Sequence, residues 1–262
     1  MDLIRRAWIV LCALLLAPAI VSAGYPLAGE EPETQGKGAV MVESNVNYLK
    51  DNEFRSTVVP LAVTMGINDT MDVGVEMPYL WLRPSGATGQ PQSGFGDVFF
   101  KFKHRFYEGH IKNDKGEKTE YALGYMVSFG QPTGREELGL GTGTERWSAR
   151  LLGFTEGEYV EIIANLGYDS SGKALRRGDF VFDYAVSGSI AVEYARSKPW
   201  EPVAELAVVR VKGEDGYERI VTALVGMEYE PSESFYAAAA LRVGLNAQSE
   251  DYALLAGFGY KF

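Results

Sequence analysis

The chain ends in "YALLAGFGYKF" (Tyr252–Phe262), where bulky apolar side chains alternate with small ones. One face carries Tyr252, Leu254, Ala256, Phe258, Tyr260 and Phe262, and the other carries Ala253, Leu255, Gly257, Gly259 and Lys261. Chain termini usually fray, so an aromatic ladder that reaches the last residue indicates a strand held by neighbours on both sides. We expect a closing β-strand whose aromatic face points outward and whose two glycines leave room inside.

The same alternation recurs along the chain from about residue 37, and helical periodicity is almost absent. The strand-like segments number 12 and lie at roughly 37–49, 54–67, 71–82, 95–106, 118–130, 144–155, 158–169, 179–194, 201–212, 217–229, 234–246 and 250–262. Each is long enough to cross a bilayer as a tilted strand, which takes about 9–11 residues, and aromatic residues gather at the ends of the apolar faces. The sequence therefore predicts an all-β fold, an antiparallel transmembrane β-barrel of 12 strands with both termini in the periplasm.

The N-terminus has the layout of a secretory signal peptide, residues 1–23, with a charged start, an apolar run and small residues before Gly24. The only cysteine, Cys12, lies inside this segment. Residues 24–36, "GYPLAGEEPETQG", are acidic and rich in proline and glycine. We expect them to form a flexible periplasmic lead-in; the alternative is a plug folded into the pore. Residues 37–262 would form the barrel.

Charged side chains on the inward parity are the candidate functional residues. The predicted lumen-lining set is Glu76, Lys101, Lys103, Arg105, Arg146, Arg150, Glu161, Asp183, Glu193, Glu205 and Arg242. Basic residues concentrate on the fourth to sixth segments and acidic residues on the seventh to tenth, so one sector of the wall would face the other with opposite charge. Such a transverse field would tune the selectivity of a pore. The alternative is a paired network that closes the lumen.

Two local features admit a functional and a structural interpretation. Asp97, in "GFGD", would line the pore entrance or would fix a bend at a strand start by hydrogen bonding. Pro60 and Pro78 fall within adjacent strands, where proline cannot donate to the ladder. They would mark either a local bulge or a lateral gap between the second and third strands.

Enzymatic classes find little support in the sequence. The chain has only two histidines, His104 and His110, and these are not placed as a metal site or as part of a catalytic triad. Phosphate-binding and nucleophile-elbow motifs are absent from it. A formal net charge of −10 argues against nucleic-acid binding. We therefore expect a protein that is not an enzyme, requires no cofactor and does not bind nucleic acid.

Three stretches resemble a known family, the outer-membrane transporters of the "MetA-pathway of phenol degradation". They are "VTMGINDTMDVGVEMPYLWL" (Val63–Leu82), "GFGDVFFKFKHRF" (Gly94–Phe106) and "SFGQPTG" with "GLGTG" (Ser128–Gly134 and Gly139–Gly143). The resemblance covers roughly Val63–Gly143. It implies a β-barrel in the outer membrane of a Gram-negative bacterium that passes small solutes, including aromatic or hydrophobic compounds.

The expected function is passive diffusion of small solutes through this channel. The alternative is a closed structural or surface-binding barrel that acts through its extracellular loops. The expected partners are outer-membrane lipid, the small-molecule solute and the barrel-assembly machinery. The machinery would recognise the C-terminal strand through Tyr260 and Phe262.

Overall fold

The structure, a computed structural model, describes residues 25–51, 54–84, 90–112, 118–177, 180–194, 198–213 and 216–262. The side chains of residues 84, 171–177, 180–183 and 213 lie outside this description, as does the predicted signal peptide. Within the described ranges, the one helix is a short 3-10 turn, Glu136–Leu138. No helix among these residues is long and apolar enough to cross a membrane.

Thirteen strands follow one another along the described part of the chain. They are β1 (Val40–Lys50), β2 (Phe54–Asn68), β3 (Met71–Pro84), β4 (Gln92–Phe95), β5 (Val98–Lys112), β6 (Lys118–Gln131), β7 (Arg146–Glu156), β8 (Glu161–Arg177), β9 (Phe180–Glu193), β10 (Trp200–Gly213), β11 (Gly216–Ser232), β12 (Phe235–Gly244) and β13 (Tyr252–Lys261).

The strands close into a barrel because β1 pairs with β2 on one side and with β13 on the other. The β1–β13 register runs from Met41 opposite Lys261 to Lys50 opposite Tyr252. All neighbouring strands are antiparallel. The short strand β4 pairs with residues 79–82 of β3, and β5 pairs with residues 71–76 of the same strand. β4 and β5 therefore occupy one strand position in the wall. The wall thus has 12 strands, which confirms the fold predicted from the sequence.

The two ends of the barrel differ in their connections. At the C-terminal end, which holds Phe262, the hairpins at residues 69–70 and 233–234 are tight. At the opposite end, here called the loop end, longer connections such as residues 132–145 join the strands. That the C-terminal end faces the periplasm stays a prediction.

The closing strand β13 shows how the alternating sequence sorts its side chains. Leu254, Phe258 and Tyr260 are between 44% and 52% exposed on the outer surface, whereas Ala253 and Leu255 are at most 7% exposed inside. Other strands repeat this division, and apolar side chains dominate the outer surface. Such a surface is typical of a barrel that faces lipid.

Pro60 and Pro78 lie opposite each other in a stretch of the β2–β3 register that is unbroken from Phe54 to Gly66. The irregularities near the two prolines lie on the flanking seams. Pairing of β1 with β2 stops at Ser44 opposite Leu61 and resumes at Asn47. On the other side, the Gly96 N–H donates to the Pro78 carbonyl at 2.8 Å, where β4 gives way to β5. Proline has no N–H, and at Pro60 and Pro78 the missing donor faces β1 and β4 and not the β2–β3 seam. The β2–β3 seam therefore stays closed.

Gly259 provides a test of inward packing on β13. A Cβ atom at this position would lie 2.2 Å from Cε1 of Tyr236, whose hydroxyl donates to the Glu43 carboxylate inside the barrel. Gly259→Ala should therefore force this buried ring to move and destabilise the barrel by about 1–3 kcal/mol. Unfolding in urea, followed by the heat-modifiable migration of the barrel on gels, measures the effect.

Gly188→Ala is the matched control, because a Cβ atom there would meet its nearest neighbour, Cδ2 of Leu166, at an ordinary 3.5 Å. We expect its unfolding midpoint to match that of the parent. Equal stability of the two alanine variants would contradict the packing of Tyr236 against Gly259.

Candidate functional site inside the barrel

The chain that precedes β1 folds back into the barrel. Tyr25 and Leu27 are each 2% exposed and belong to an apolar cluster with inward-facing wall residues, among them Ile163, Val203 and Leu224. We call residues 25–36 the lumen segment. This placement differs from the flexible periplasmic lead-in expected from the sequence and corresponds to the alternative, a plug inside the pore.

One carboxylate holds the middle of the lumen segment. The backbone N–H groups of Ala28 and Gly29 donate to Oε2 and Oε1 of Glu205, each at 2.7 Å. From the other side, Nη1 of Arg150 donates to the Ala28 carbonyl at 3.1 Å. Both Glu205 and Arg150 belong to the predicted lumen-lining set. Since buried backbone groups need partners, these two side chains replace the strand neighbours that the segment lacks.

Two further wall side chains bind the rest of the segment. Asn165 forms a pair of bonds with Glu30: its Oδ1 accepts the Glu30 N–H at 3.0 Å, and its Nδ2 donates to the Glu30 carbonyl at 3.0 Å. The Gln35 N–H donates to both carboxylate oxygens of Asp72 at 3.1 Å. The lumen segment is thus fixed at three points along its length by side chains of β3, β8 and β10.

The basic residues predicted on one sector of the wall all have partners. Nζ of Lys101 lies 2.6 Å from the Glu76 carboxylate. Nζ of Lys103 lies 3.8 Å from Glu30 of the lumen segment. Arg105, at the C-terminal end, contacts Glu108 at 3.1 Å. These pairs join Lys101 to the adjacent strand and Lys103 to the lumen segment, so part of the charge inside the barrel is paired.

Of the other predicted residues, Arg146 stacks over the Phe99 ring, 5.5 Å from its centroid, and Nε of Arg242 pairs with Glu250 at 2.6 Å. Asp183 belongs to β9, but its side chain lies outside the described residues. Tyr260 and Phe262 pack ring against ring on the outer surface, with centroids 4.8 Å apart. Their recognition by the assembly machinery stays a prediction, as does the selectivity role of the lumen set.

A cavity of about 260 Å³ remains at the C-terminal end between the lumen segment and the wall. Among the residues described, nine glutamates but only two lysines line it, and Glu161 and Glu193 of the predicted set lie there. Lys198 contacts Glu201 and Glu230 at 3.7 and 3.4 Å. We call this space the acidic cavity. Burial, reinforced by the neighbouring Glu193, raises the pKa of Glu31, one of the two glutamates of the lumen segment that line the cavity.

Asp97 organises the longest described connection at the loop end. Its Oδ1 accepts the Gly134 N–H at 3.0 Å, and its Oδ2 accepts the N–H and the hydroxyl of Thr142 at 2.8 and 2.7 Å. Leu140, at the turn of this connection, is 1% exposed and packs with Leu80 and Leu82. Asp97 therefore fixes the 132–145 connection by hydrogen bonding, whereas the sequence suggested that it would fix a bend at its own strand start.

His104 lies on the outer surface, with its ring 5.4 Å from that of Tyr125 and 6.5 Å from that of Phe106. His110, near the end of β5, is exposed. The two histidines are not brought together with other ligands in the described part of the chain. The sequence prediction of no catalytic site is compatible with this placement.

Sequence reasoning did not identify the docking contacts of the lumen segment. These are made by Asn165 of the wall and by Tyr25 and Leu27 of the segment itself. A signal for them exists in the sequence. Ile163 and Leu224 occupy inward positions on strands whose other inward residues are mostly polar, and an apolar inward residue needs an apolar partner in the lumen. The "YPL" triplet, Tyr25–Leu27, is the apolar part of the segment before β1 and supplies that partner.

A closed wall of 12 antiparallel strands, apolar outside and charged inside, defines a channel-like barrel of the outer-membrane type. The chain belongs to the family described as "Putative MetA-pathway of phenol degradation", whose sequence pattern matches residues 23–262. This finding confirms the resemblance and extends it from the stretch Val63–Gly143 to almost the whole chain.

Solved structures with the same fold support this class. The barrel is similar to the COG4313 outer membrane channel from Pseudomonas putida F1, with a TM-score of 0.74 and 14% identity over 93% of this chain and 100% of that one. It is also similar to the NanC porin, with a TM-score of 0.54 and 10% identity over 84% of this chain and 100% of the porin. At these identities the likeness concerns the fold. No curated protein matches the sequence at a significant level.

The hydrogen bonds from the Ala28 and Gly29 N–H groups to Glu205, here called the Glu205 clamp, can be tested by removing the carboxylate oxygens stepwise. Glu205→Ala leaves the Ala28 and Gly29 N–H groups without their acceptors, and Glu205→Gln keeps one acceptor oxygen. A buried donor without a partner costs about 1–3 kcal/mol. We expect hydrogen exchange of these two amides to accelerate more in the alanine than in the glutamine variant. Peptide-resolved exchange of the detergent-solubilised barrel measures it.

Glu145→Gln serves as the control for this series, since Glu145 is exposed just before β7. Its exchange pattern over residues 25–36 should equal that of the parent. Unchanged exchange in both Glu205 variants would show that the clamp does not hold the segment.

Asp97→Asn tests the loop fixture. The amide cannot accept all three of the bonds that the carboxylate accepts from Gly134 and Thr142, so residues 132–145 should open more often. Trypsin should then cleave faster after the exposed Arg135, by about tenfold for a loss of about 1.4 kcal/mol. Glu145→Gln changes a carboxylate to an amide in the same connection and should leave the cleavage rate unchanged. Equal rates in both variants would contradict the role of Asp97.

Proposed function

We propose that the protein is an outer-membrane channel through which small solutes diffuse passively, and that the lumen segment limits their passage. One observation carries the proposal: a closed wall, apolar outside, surrounds a charged lumen that the chain's own N-terminal segment occupies only in part, leaving the acidic cavity of about 260 Å³. A cavity of this size approaches the lower end of the range for small-molecule sites, about 300 Å³.

The outer surface supports the membrane location in this proposal. Large apolar side chains on several strands, such as Leu166 of β8, Leu206 of β10 and Val225 of β11, are at least 54% exposed. In water, an apolar surface of this extent would drive association, whereas in a bilayer it contacts lipid chains. The short hairpins at the C-terminal end match the periplasmic turns of outer-membrane barrels, so we assign that end to the periplasm.

The contacts of the lumen segment are of a kind that can be exchanged for water. Glu205, Asn165 and Asp72 hold it through hydrogen bonds, each worth about 0.5–3 kcal/mol net. Tyr25 and Leu27 add apolar burial, as do the fully buried rings of Pro26 and Pro32. A shift of the segment would therefore join the acidic cavity to the rest of the lumen while the barrel wall stays intact.

The charge of the acidic cavity bears on which solutes would pass. Carboxylates line it in excess, so the cavity disfavours anions and favours cations or neutral compounds with hydrogen-bond donors. The family description names phenol degradation, and a neutral phenol combines a donor hydroxyl with an apolar ring. We therefore include small aromatic compounds among the proposed solutes.

A closed structural or surface-binding barrel is the second candidate. It is favoured by the ion pairs of Lys101 and Arg242 and by the placement of Tyr25 and Leu27 inside the barrel. In that case the loop end, with the connection that Asp97 organises, would carry the function.

Recording in planar bilayers separates the two candidates. We expect small, infrequent conductance steps from the full chain and larger or more frequent steps from Glu205→Ala, because the loss of the clamp on Ala28 and Gly29 frees the lumen segment. Glu145→Gln should behave like the parent.

The folding of each sample is checked by its heat-modifiable migration on gels before recording. If folded parent and folded Glu205→Ala both give no conductance, the channel proposal fails and the closed barrel is supported. If both conduct equally, the channel proposal stands but the lumen segment does not limit passage.

A further inference from the structure

The acidic cavity contains a group of three carboxylates that the proposed channel does not require. Carboxylate oxygens of Glu31, Glu161 and Glu193 all lie within 4.8 Å of one another. Glu31 comes from the lumen segment, Glu161 from the start of β8 and Glu193 from the end of β9. The pairing of Glu161 opposite Glu193 in the β8–β9 ladder brings the two wall carboxylates together.

Two buried oxygens around this group have neither a hydrogen-bond partner nor an ion pair within the described residues. Oε1 of Glu193 and Oε1 of Glu228 are fully shielded, and the two residues are 4% and 5% exposed. Both residues line the acidic cavity. Glu228 is not one of the three clustered carboxylates, so its unpaired oxygen is a separate observation that points to a cation-binding site. A buried carboxylate needs a partner, a proton or a metal ion.

The lysines of the cavity do not supply that partner. Lys198, whose side chain is 62% exposed, pairs with Glu201 and Glu230. In the part of the chain that the structure describes, no lysine or arginine forms an ion pair with Glu161, Glu193 or Glu228. Within these residues, the clustered carboxylates therefore have no ion-pair partner from the protein.

We propose that Glu31, Glu161 and Glu193 bind a calcium ion, which ties the lumen segment to the barrel wall. Ca²⁺ takes oxygen ligands at about 2.3–2.6 Å. Two oxygens on one ion then lie at most about 5 Å apart, which the observed spacing satisfies.

Ca²⁺ suits this group better than Mg²⁺. Its coordination number and geometry are flexible, so carboxylates from three separate elements can serve together, with water or the nearby Glu228 completing the shell. Mg²⁺ demands near-ideal octahedral geometry at about 2.0–2.1 Å and gives up its water reluctantly. The bound ion would attach the segment at Glu31, between its contacts with Asn165 and Asp72.

The site can be tested on the full mature chain, extracted in detergent and stripped of metal with a chelator. Calorimetric titration with Ca²⁺ should show one site with a Kd of about 10⁻⁴–10⁻³ M or tighter. Titration with Mg²⁺ should show weaker binding. The double variant Glu161→Gln/Glu193→Gln should bind Ca²⁺ at least about tenfold more weakly. Glu145→Gln should equal the parent.

Hydrogen exchange gives a second readout that needs no variant. Saturating Ca²⁺ should slow the exchange of the amides of residues 30–35 in the parent, and the chelator should reverse this effect. The double variant should show no such response. Glu193→Gln alone, which leaves two of the three carboxylates, gives a second test should the double variant fail to fold.

Two results would overturn the site: no heat of binding and no change in exchange at about 5 mM Ca²⁺, or Ca²⁺ binding by the folded Gln variants as tight as that of the parent. Neither measurement requires conduction. A barrel that conducts without binding Ca²⁺ would overturn this inference alone, and one that binds Ca²⁺ without conducting would overturn only the channel proposal.

Discussion

The pairing of β1 with β13 is the constraint on which the rest of the structure depends. A sheet of 12 strands that stayed open would expose two edges of unpaired backbone groups, and in a lipid environment no water would satisfy them. Because Met41 to Lys50 pair with Lys261 to Tyr252, both edges disappear and an interior is created. The interior must then be filled, hydrated or paired, and every other feature of the molecule responds to that requirement.

The wall could be predicted from the sequence because its signal is local. Alternation assigns each residue of β13 to a face, and the structure places Leu254 and Phe258 outside and Ala253 inside as that pattern predicts. Strand number follows from counting such segments. The interruption at Pro78 and Gly96, which separates β4 from β5 near the start of the predicted segment 95–106, could be located as an irregularity. The form of this irregularity depends on which seam between strands lacks the proline N–H. The order of the strands in the sheet determines that seam.

The contents of the lumen could not be predicted in the same way. Composition places residues 24–36 among flexible segments, because such a sequence buries too little apolar surface to fold alone. Here it does not fold alone. The carboxylate of Glu205 and the side-chain amide of Asn165 satisfy its backbone, and these partners lie more than 130 positions away in the sequence. The apolar inward residues of the wall, among them Ile163 and Leu224, were the one indication that the lumen needed an apolar occupant.

The difference between a channel and a closed barrel then reduces to the free energy with which the lumen segment stays docked. If docking is favoured by about 4 kcal/mol, the undocked state is populated at about 0.1%. Two hydrogen bonds to Glu205, each worth about 1–3 kcal/mol, are enough to change that population by one to several powers of ten. Glu31 places a further ligand of the same segment beside two wall carboxylates, so an ion bound there would add to the docking energy. Acidic residues on both the lumen segment and the wall determine the balance between the docked and the undocked state. The mutual repulsion of the wall carboxylates does not by itself stabilise the wall strands.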